Sequence, residues 1–213
     1  MTGGLAHPPG RAGRMWLERR LDVARRGADV LDRKLRILQV ELERLRAATT
    51  RTGQDWDICC AAADRWLLRA ALLGGQRAIR LAAADRPADV QISYAVTMGV
   101  RHPAGATCRP AAGPGRWAGP AVTEAGQAHQ RALAAAAAHA AATAALQIIE
   151  AEALATRYRL RAIKDRWIPR LEQARVEVAF AIDEQERADG ARLRLAAGTL
   201  SSGLAADHLR TGP

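Results

Sequence analysis

Lysine is almost missing from this chain. Lys34 and Lys164 are the only two in 213 residues, so arginine carries nearly all of a net charge of +10. Aromatic residues make up only 4%, with a single Phe180 and the tyrosines Tyr94 and Tyr158. A large globular core needs more bulk than that, whereas a helical seam one residue wide does not. Cysteine is scarce and odd in number. Cys59, Cys60 and Cys108, two of them adjacent, exclude a disulfide framework and point to a reducing compartment. No run of five or six like charges marks a nucleic-acid tail, and stacking aromatics are few, so nucleic acid is not expected as a partner.

Catalytic signatures are equally sparse. No glycine precedes Lys-Ser or Lys-Thr as in a phosphate loop. His7, His102, His129, His139 and His208 fall in unrelated places, which excludes a recognisable metal set. Cys59 sits where a small packed residue belongs, and Ser201-Ser202 has no base in view. Catalytic residues, cofactor and metal are therefore all expected to be none, and the chain is not expected to be an enzyme. The N-terminal Met1 to Gly13 lacks the apolar core of a signal peptide. The alanine tract Ala132 to Ala145 contains His139 and Thr143 and has too little bulk for a membrane span. A soluble, cytoplasmic protein is expected.

What the chain does contain is periodicity. Stepping alternately four and three residues from Leu17 gives Leu21, Ala24, Ala28, Leu31, Leu35, Leu38, Leu42 and Leu45. The same steps continue through Thr49, Thr52, Trp56, Cys59, Ala63, Trp66, Ala70 and Leu73, with only the threonines polar. A mean spacing of 3.5 keeps one seam of a helix against a partner helix. The register passes Gly53 unbroken and predicts one long helix. Gly27 suggests a close backbone approach, because a mid-helix glycine costs about 0.5–1 kcal/mol relative to alanine.

Gly74-Gly75 weakens the helix, and Asp85-Arg86-Pro87 ends it. Val90 to Met98 alternates apolar and polar residues and predicts a strand. A turn-rich loop from Gly99 to Pro120 follows, holding the second limb of a hairpin near Ala106 to Arg109. The second helix has its seam at Leu146, Ile149, Ala153, Thr156, Leu160, Ile163 and Trp167, then Leu171 one residue late, Ala174, Val178 and Ala181. The slip coincides with Pro169, which removes one hydrogen bond, crowds the carbonyl of Asp165 and predicts a kink. The expected fold is mainly α, a long antiparallel two-helix coiled coil with a small β-hairpin-containing head. Its parts are a disordered N-terminus (1–13), an N-terminal coiled-coil helix (14–84), a β-containing head with a Gly/Pro-rich loop (85–121), a C-terminal coiled-coil helix (122–197) and a disordered tail (198–213).

Three segments in order resemble one family. Ala24-Arg25-Arg26-Gly27 with Val30 to Leu35 resembles the N-terminal helix of the D subunits of the vacuolar/archaeal-type rotary ATPases. Met98-Gly99-Val100, with Pro103 soon after, looks like that family's head motif. Ile168-Pro169-Arg170-Leu171-Glu172, between Arg159 to Ala162 and Asp183 to Arg187, is similar to its C-terminal helix. The alanine tract, the Gly/Pro-rich loop and the shortage of lysine depart from the family pattern.

The resemblance implies a central rotor shaft that couples ATP hydrolysis or synthesis in the catalytic ring to ion translocation, taken as protons, across the membrane. The implied partners are the catalytic and non-catalytic nucleotide-binding ring subunits, the small F subunit of the rotor, and a membrane-ring stalk subunit. The implied location is the cytoplasmic face of the membrane, peripheral and through the complex. The ring-facing bearing is expected at Arg14, Met15, Arg19 and Arg20 with Arg187, Arg192 and Arg194. The alternatives are a basic coiled-coil protein that binds nucleic acid or an acidic membrane surface and, further behind, the gamma shaft of the other rotary ATP synthase class.

Overall fold

The computed structural model of the protein describes residues 6–83, 86–111 and 119–208, with side chains as far as 197. In chain order these form α1 (Gly10–Ala82), β1 (Asp89–Thr97), β2 (Val100–Arg109), α2 (Pro120–Arg161), a π-helical turn (Ala162–Trp167) and α3 (Ile168–His208). The fold is mainly α with one two-stranded antiparallel hairpin. It divides into two compact units, one of residues 1–31 with 159–213 and the other of residues 32–158.

α1 is helical through Gly27 and Gly53 and leaves helical backbone only at Gly75, at φ 71° and ψ 167°. It begins at Gly10, ahead of Arg14. Gly10 enters with φ 65°, and Gly13 leaves room for the Pro8 carbonyl, with which a Cβ would collide. Nothing lies within 4 Å of a Cβ built at Gly27, so of the two readings of that glycine, close approach or chance, the close approach is absent. The tight glycines are Gly53, whose added Cβ would sit 3.3 Å from His139 Cε1, and Gly74, 3.3 Å from Val122 Cγ2.

In the unit of residues 32–158, α1 and α2 pack through three clusters. Leu38, Leu42 and Leu45 meet Ala145, Ile149 and Ala153; Ala63 meets Ala128 and Ala132; Ala70 meets Val122 and Ala125. Rising numbers on α1 meet falling numbers on α2, so the pairing is antiparallel. Alanine on α2 suits this seam because a small side chain is a strong helix former and lets helix axes approach. Pro120 opens α2 at a position where the missing N–H costs nothing, and the amides of Val122 and Thr123 donate to the Gly119 carbonyl at 3.0 and 3.1 Å. His139, inside the alanine tract, stacks on Trp56 with ring centroids 5.6 Å apart and hydrogen-bonds Thr52 Oγ1 at 3.2 Å.

The hairpin also belongs to this unit. Thr97 pairs with Val100 across a two-residue turn in which Met98 (φ 50°) and Gly99 (φ 81°) both take the left-handed conformation that a tight hairpin demands. β2 spans Val100–Arg109, so much of the stretch expected as loop is strand. Pro103 is accommodated opposite Tyr94 at a register shift that leaves Ala104 without a partner, since a proline cannot donate to a regular ladder. Val100 packs against the Leu38–Leu42–Leu45 cluster. His102 beside it is 1% exposed; its Nδ1–H donates to the Pro103 carbonyl at 3.0 Å, and Nε2 bonds Thr97 Oγ1 at 3.0 Å. The remainder of the expected Gly/Pro-rich loop, at 112–118, lies outside the described residues, as do 1–5 and 209–213 of the expected disordered ends and Asp85 of the expected helix stop.

In the unit of residues 1–31 and 159–213, Leu17, Leu21 and Ala24 of α1 pack with Leu171, Ala174 and Val178 of α3. Half-buried Trp16, Ile163, Trp167, Ile168 and Ile182 flank them. Arg11 pairs with Glu186 at 2.7 Å and Arg25 with Glu172 at 2.8 Å, again rising against falling and hence antiparallel. The late step at Leu171 has a structural cause different from a simple proline break. Ahead of Pro169, the N–H of Ile168 bonds the carbonyl of Ile163, five residues back, in a π-helical turn. That turn holds one residue more than an α-turn and delays the seam by one position. It also alters the carbonyl positions that an α-helix would present to the proline ring. At the far end Ala181 is exposed and Ile182 takes its place on the seam.

Candidate functional site

The surfaces of the paired helices are the features available for function. Among the described residues no group of three or more His, Cys, Asp and Glu could hold a metal ion. The three cysteines are free and half-buried, and Cys59 and Cys60 pack against the Ala63 cluster. Most side chains expected on the seam are committed to packing, but Leu73, next to the break in helical backbone at Gly75, is 79% exposed. Leu17, Leu38 and Leu171 are 0% exposed, Leu21, Leu42, Leu45, Leu160 and Val178 are buried, and Leu31, Leu35, Ile163 and Trp167 are half-buried. Pro169 is exposed and follows the π-helical turn.

The residues expected to form a bearing all lie on the surface of the unit of residues 1–31 and 159–213. Arg14 is exposed and ion-paired with Glu18 at 3.1 Å, one turn along α1. Met15 is 55% exposed, and Arg20 lies over the Trp16 ring with its guanidinium carbon 4.8 Å from the centroid. Arg19 is exposed. On α3, Arg187 pairs with Glu184 at 3.4 Å and Arg192 with Asp189 at 3.1 Å, while Arg194 is exposed.

These two sets are not brought to one level. Arg14 and Glu18 line a groove of about 520 Å³ with Arg175, Val176, Ala179, Phe180 and Asp183. Arg187 and Arg194 line another, of about 550 Å³, with Asp183, Glu186 and Gly190. The Arg11–Glu186 pair stands between the two sets, and the hydrogen bond from Arg11 to Glu186 raises the Arg11 guanidinium above its ordinary pKa. Sequence reasoning missed Arg11, Glu186, Val176 and Phe180. Phe180 is 67% exposed, and its only signal is an aromatic two positions past the seam residue Val178.

The helical region Pro120–Ala197 contains an 18-residue window of mean hydropathy 1.6, long and apolar enough by composition to cross a membrane. Within its alanine tract Ala132, Ala141 and Ala145 are buried, and His139 is stacked on Trp56. Ala132 and Ala145 pack against α1, while 22% of the apolar window as a whole is buried.

Within each unit the helices pair antiparallel, and in the unit of residues 32–158 a small hairpin packs against the paired helices. The chain belongs to the family of ATP synthase D subunits, whose model matches residues 15–198. No curated protein matches it. The family is in general one of non-catalytic stalk subunits, and membership makes the chain a stalk component of a membrane-associated rotary ATPase complex, with its partners inside that complex.

Proposed function

We propose that the chain is the central rotor shaft of a vacuolar/archaeal-type rotary ATPase, with coiled-coil limbs at 14–84 and 122–197 and a head at 85–121. The family match over residues 15–198 carries this reading. The ends of the chain stand inside the ring of catalytic and non-catalytic nucleotide-binding subunits. The small F subunit of the rotor packs on the shaft, and a stalk subunit links the head end to the membrane ring. The assembly sits on the cytoplasmic face of the membrane and moves protons.

The physics of a shaft suits this sequence. A two-helix seam resists bending because each helix buries its apolar stripe continuously against the other. An antiparallel pair of unlike helices presents a different face at every angle. The nucleotide states of a surrounding ring then differ in free energy with shaft angle, and that differential contact couples ATP turnover to rotation.

Affinity purification of the full chain from its own cells at moderate salt, with ATPase assay and mass spectrometry of the eluate, tests the proposal. Recovery of two nucleotide-binding subunits, a small third partner and ATP hydrolysis is the expected result. Recovery of the chain alone, or with nucleic acid that salt releases steeply, overturns it in favour of a basic coiled-coil binder.

A further inference from the structure

The seam between α1 and α2 is repetitive on both sides. Leucine follows leucine at 35, 38, 42 and 45 of α1, and from Ala132 to Ala145 every residue of α2 except Leu133, His139 and Thr143 is alanine. A repeating apolar stripe packs almost equally well after a shift of one heptad, because each seam side chain is replaced by another of its kind. Such a pair needs a feature unlike its surroundings to fix one alignment. In coiled coils a single polar residue on the seam serves this purpose, at a cost in stability.

Within the unit of residues 32–158, His139 is seated across the two helices in this way. Its ring stacks on Trp56, with centroids 5.6 Å apart and planes 24° from parallel. Its Nδ1–H donates to Thr52 Oγ1 at 3.2 Å, since that hydroxyl already donates to the Ala48 carbonyl at 2.9 Å. Gly53 makes the room, because a Cβ there would stand 3.3 Å from His139 Cε1. The combination of Thr52, Gly53 and Trp56 occurs once on α1. Seven residues to either side the imidazole would face Leu45, Arg46 and Thr49 or Cys59, Cys60 and Ala63, with no ring to stack on and no glycine. Thr143, the other polar residue of the tract, selects nothing, because its buried hydroxyl has no hydrogen-bond partner. The Arg46–Glu150 pair is exposed and of a kind that contributes little. Lys34 meets Glu152 at 2.6 Å through a flexible stem and a rotating ammonium, which tolerate a change of partner better than a ring in a socket does.

We propose that His139 is the register key of the α1–α2 pair. Seated over Gly53 between Trp56 and Thr52, it selects one alignment of a seam that would otherwise also pack one heptad out of step. This gives a common reason for a histidine inside the alanine tract and for a glycine on α1 that faces it. The inference stands on the packing of these two helices and holds independently of the shaft reading above.

The test measures the alignment directly in the full chain. Cys59, Cys60 and Cys108 are replaced by alanine, and nitroxides are attached through Glu43→Cys on α1 and Gln127→Cys on α2, both exposed positions. These sites lie well apart along the pair, so a slip of seven residues alters their separation by roughly 10 Å, at about 1.5 Å per residue. Pulsed electron spin resonance on the parent should give one narrow distance. His139→Ala, which merely extends the alanine tract and keeps the helix, should add a second maximum about 10 Å longer or shorter. That maximum should hold roughly a tenth of the molecules or more. A single unshifted distance in His139→Ala, whatever its melting temperature, overturns the inference and leaves the register to the leucine cluster and the Lys34–Glu152 pair. So does a distance that only broadens about the parent value, which is loosening without slip. Two maxima in the parent itself would show that His139 selects no alignment and would also overturn it.

Discussion

Two mid-helix glycines of α1 stand in different environments. At Gly27 an added methyl group meets nothing within 4 Å, and at Gly53 it meets His139 Cε1 at 3.3 Å. Gly27→Ala should therefore stabilise the protein by about 0.5–1 kcal/mol, the ordinary helical cost of glycine. Gly53→Ala should give less than this or reverse it, because His139 is held between Trp56 and Thr52. Urea denaturation of the two variants checks the ordering; equal gains would mean that His139 yields freely. Sequence alone could not separate these glycines, since both interrupt a helix and the difference lies on another helix. A second prediction at this scale concerns Glu41. A hydrogen bond from Arg44 holds its carboxyl below the ordinary value of 4.5, against a smaller opposing effect of burial. A carboxyl depressed in the folded state adds stability above its unfolded pKa and loses it as pH falls through the folded one. Glu41→Gln should thus cost about 0.3–0.5 kcal/mol at neutral pH, as for other surface helix pairs. The gap from the parent should close below pH 4.5, which thermal melts across that range would show.

At the scale of elements, position along the seam decides what a side chain is worth. Leu171 is 0% exposed among Leu17, Leu21 and Val178, whereas Val176, five residues on, is 63% exposed. Leu171→Ala should cost about 2–5 kcal/mol and Val176→Ala less than about 0.5 kcal/mol by chemical denaturation. A loss at Val176 matching that at Leu171 would contradict the packing described. The helices were legible because a 3.5-residue period is written redundantly, once per turn, over many turns. β1 was legible because Val90, Ile92, Tyr94 and Val96 alternate with smaller or polar residues. β2 was largely hidden: Pro103, Gly105 and their neighbours read as turn formers, and it pairs because β1 and the Met98-Gly99 turn align it. The π-helical turn was visible only as its effect, the late Leu171. Delay by an extra residue and slip at a proline give the same spacing in a sequence.

For the whole molecule, the family could be read from ordered segments spread over most of the chain, but the working surface could not. A bearing is made of exposed charges, and these follow no period that separates a contact from a solvated face. Arg14 and Arg187, grouped on sequence, line different grooves. The shaft proposal nonetheless makes a sharp prediction for the N-terminal set. Arg19→Glu with Arg20→Glu lies on exposed positions of α1 and should leave the helical circular dichroism unchanged. Proton pumping per ATP hydrolysed by the assembled complex should fall severalfold. Unchanged pumping would remove these arginines from the bearing.

The π-helical turn between α2 and α3 is also a statement about length. A five-residue turn in place of a four-residue one holds a single surplus residue. Deleting one of the exposed residues Lys164, Asp165 or Arg166 would let α2 and α3 join as one regular helix, with the apolar positions on either side still on the seam. The turn therefore has the form of a one-residue insertion kept where it arose and absorbed by a local widening. A related chain without the wide turn should be shorter by one residue between Leu160 and Leu171.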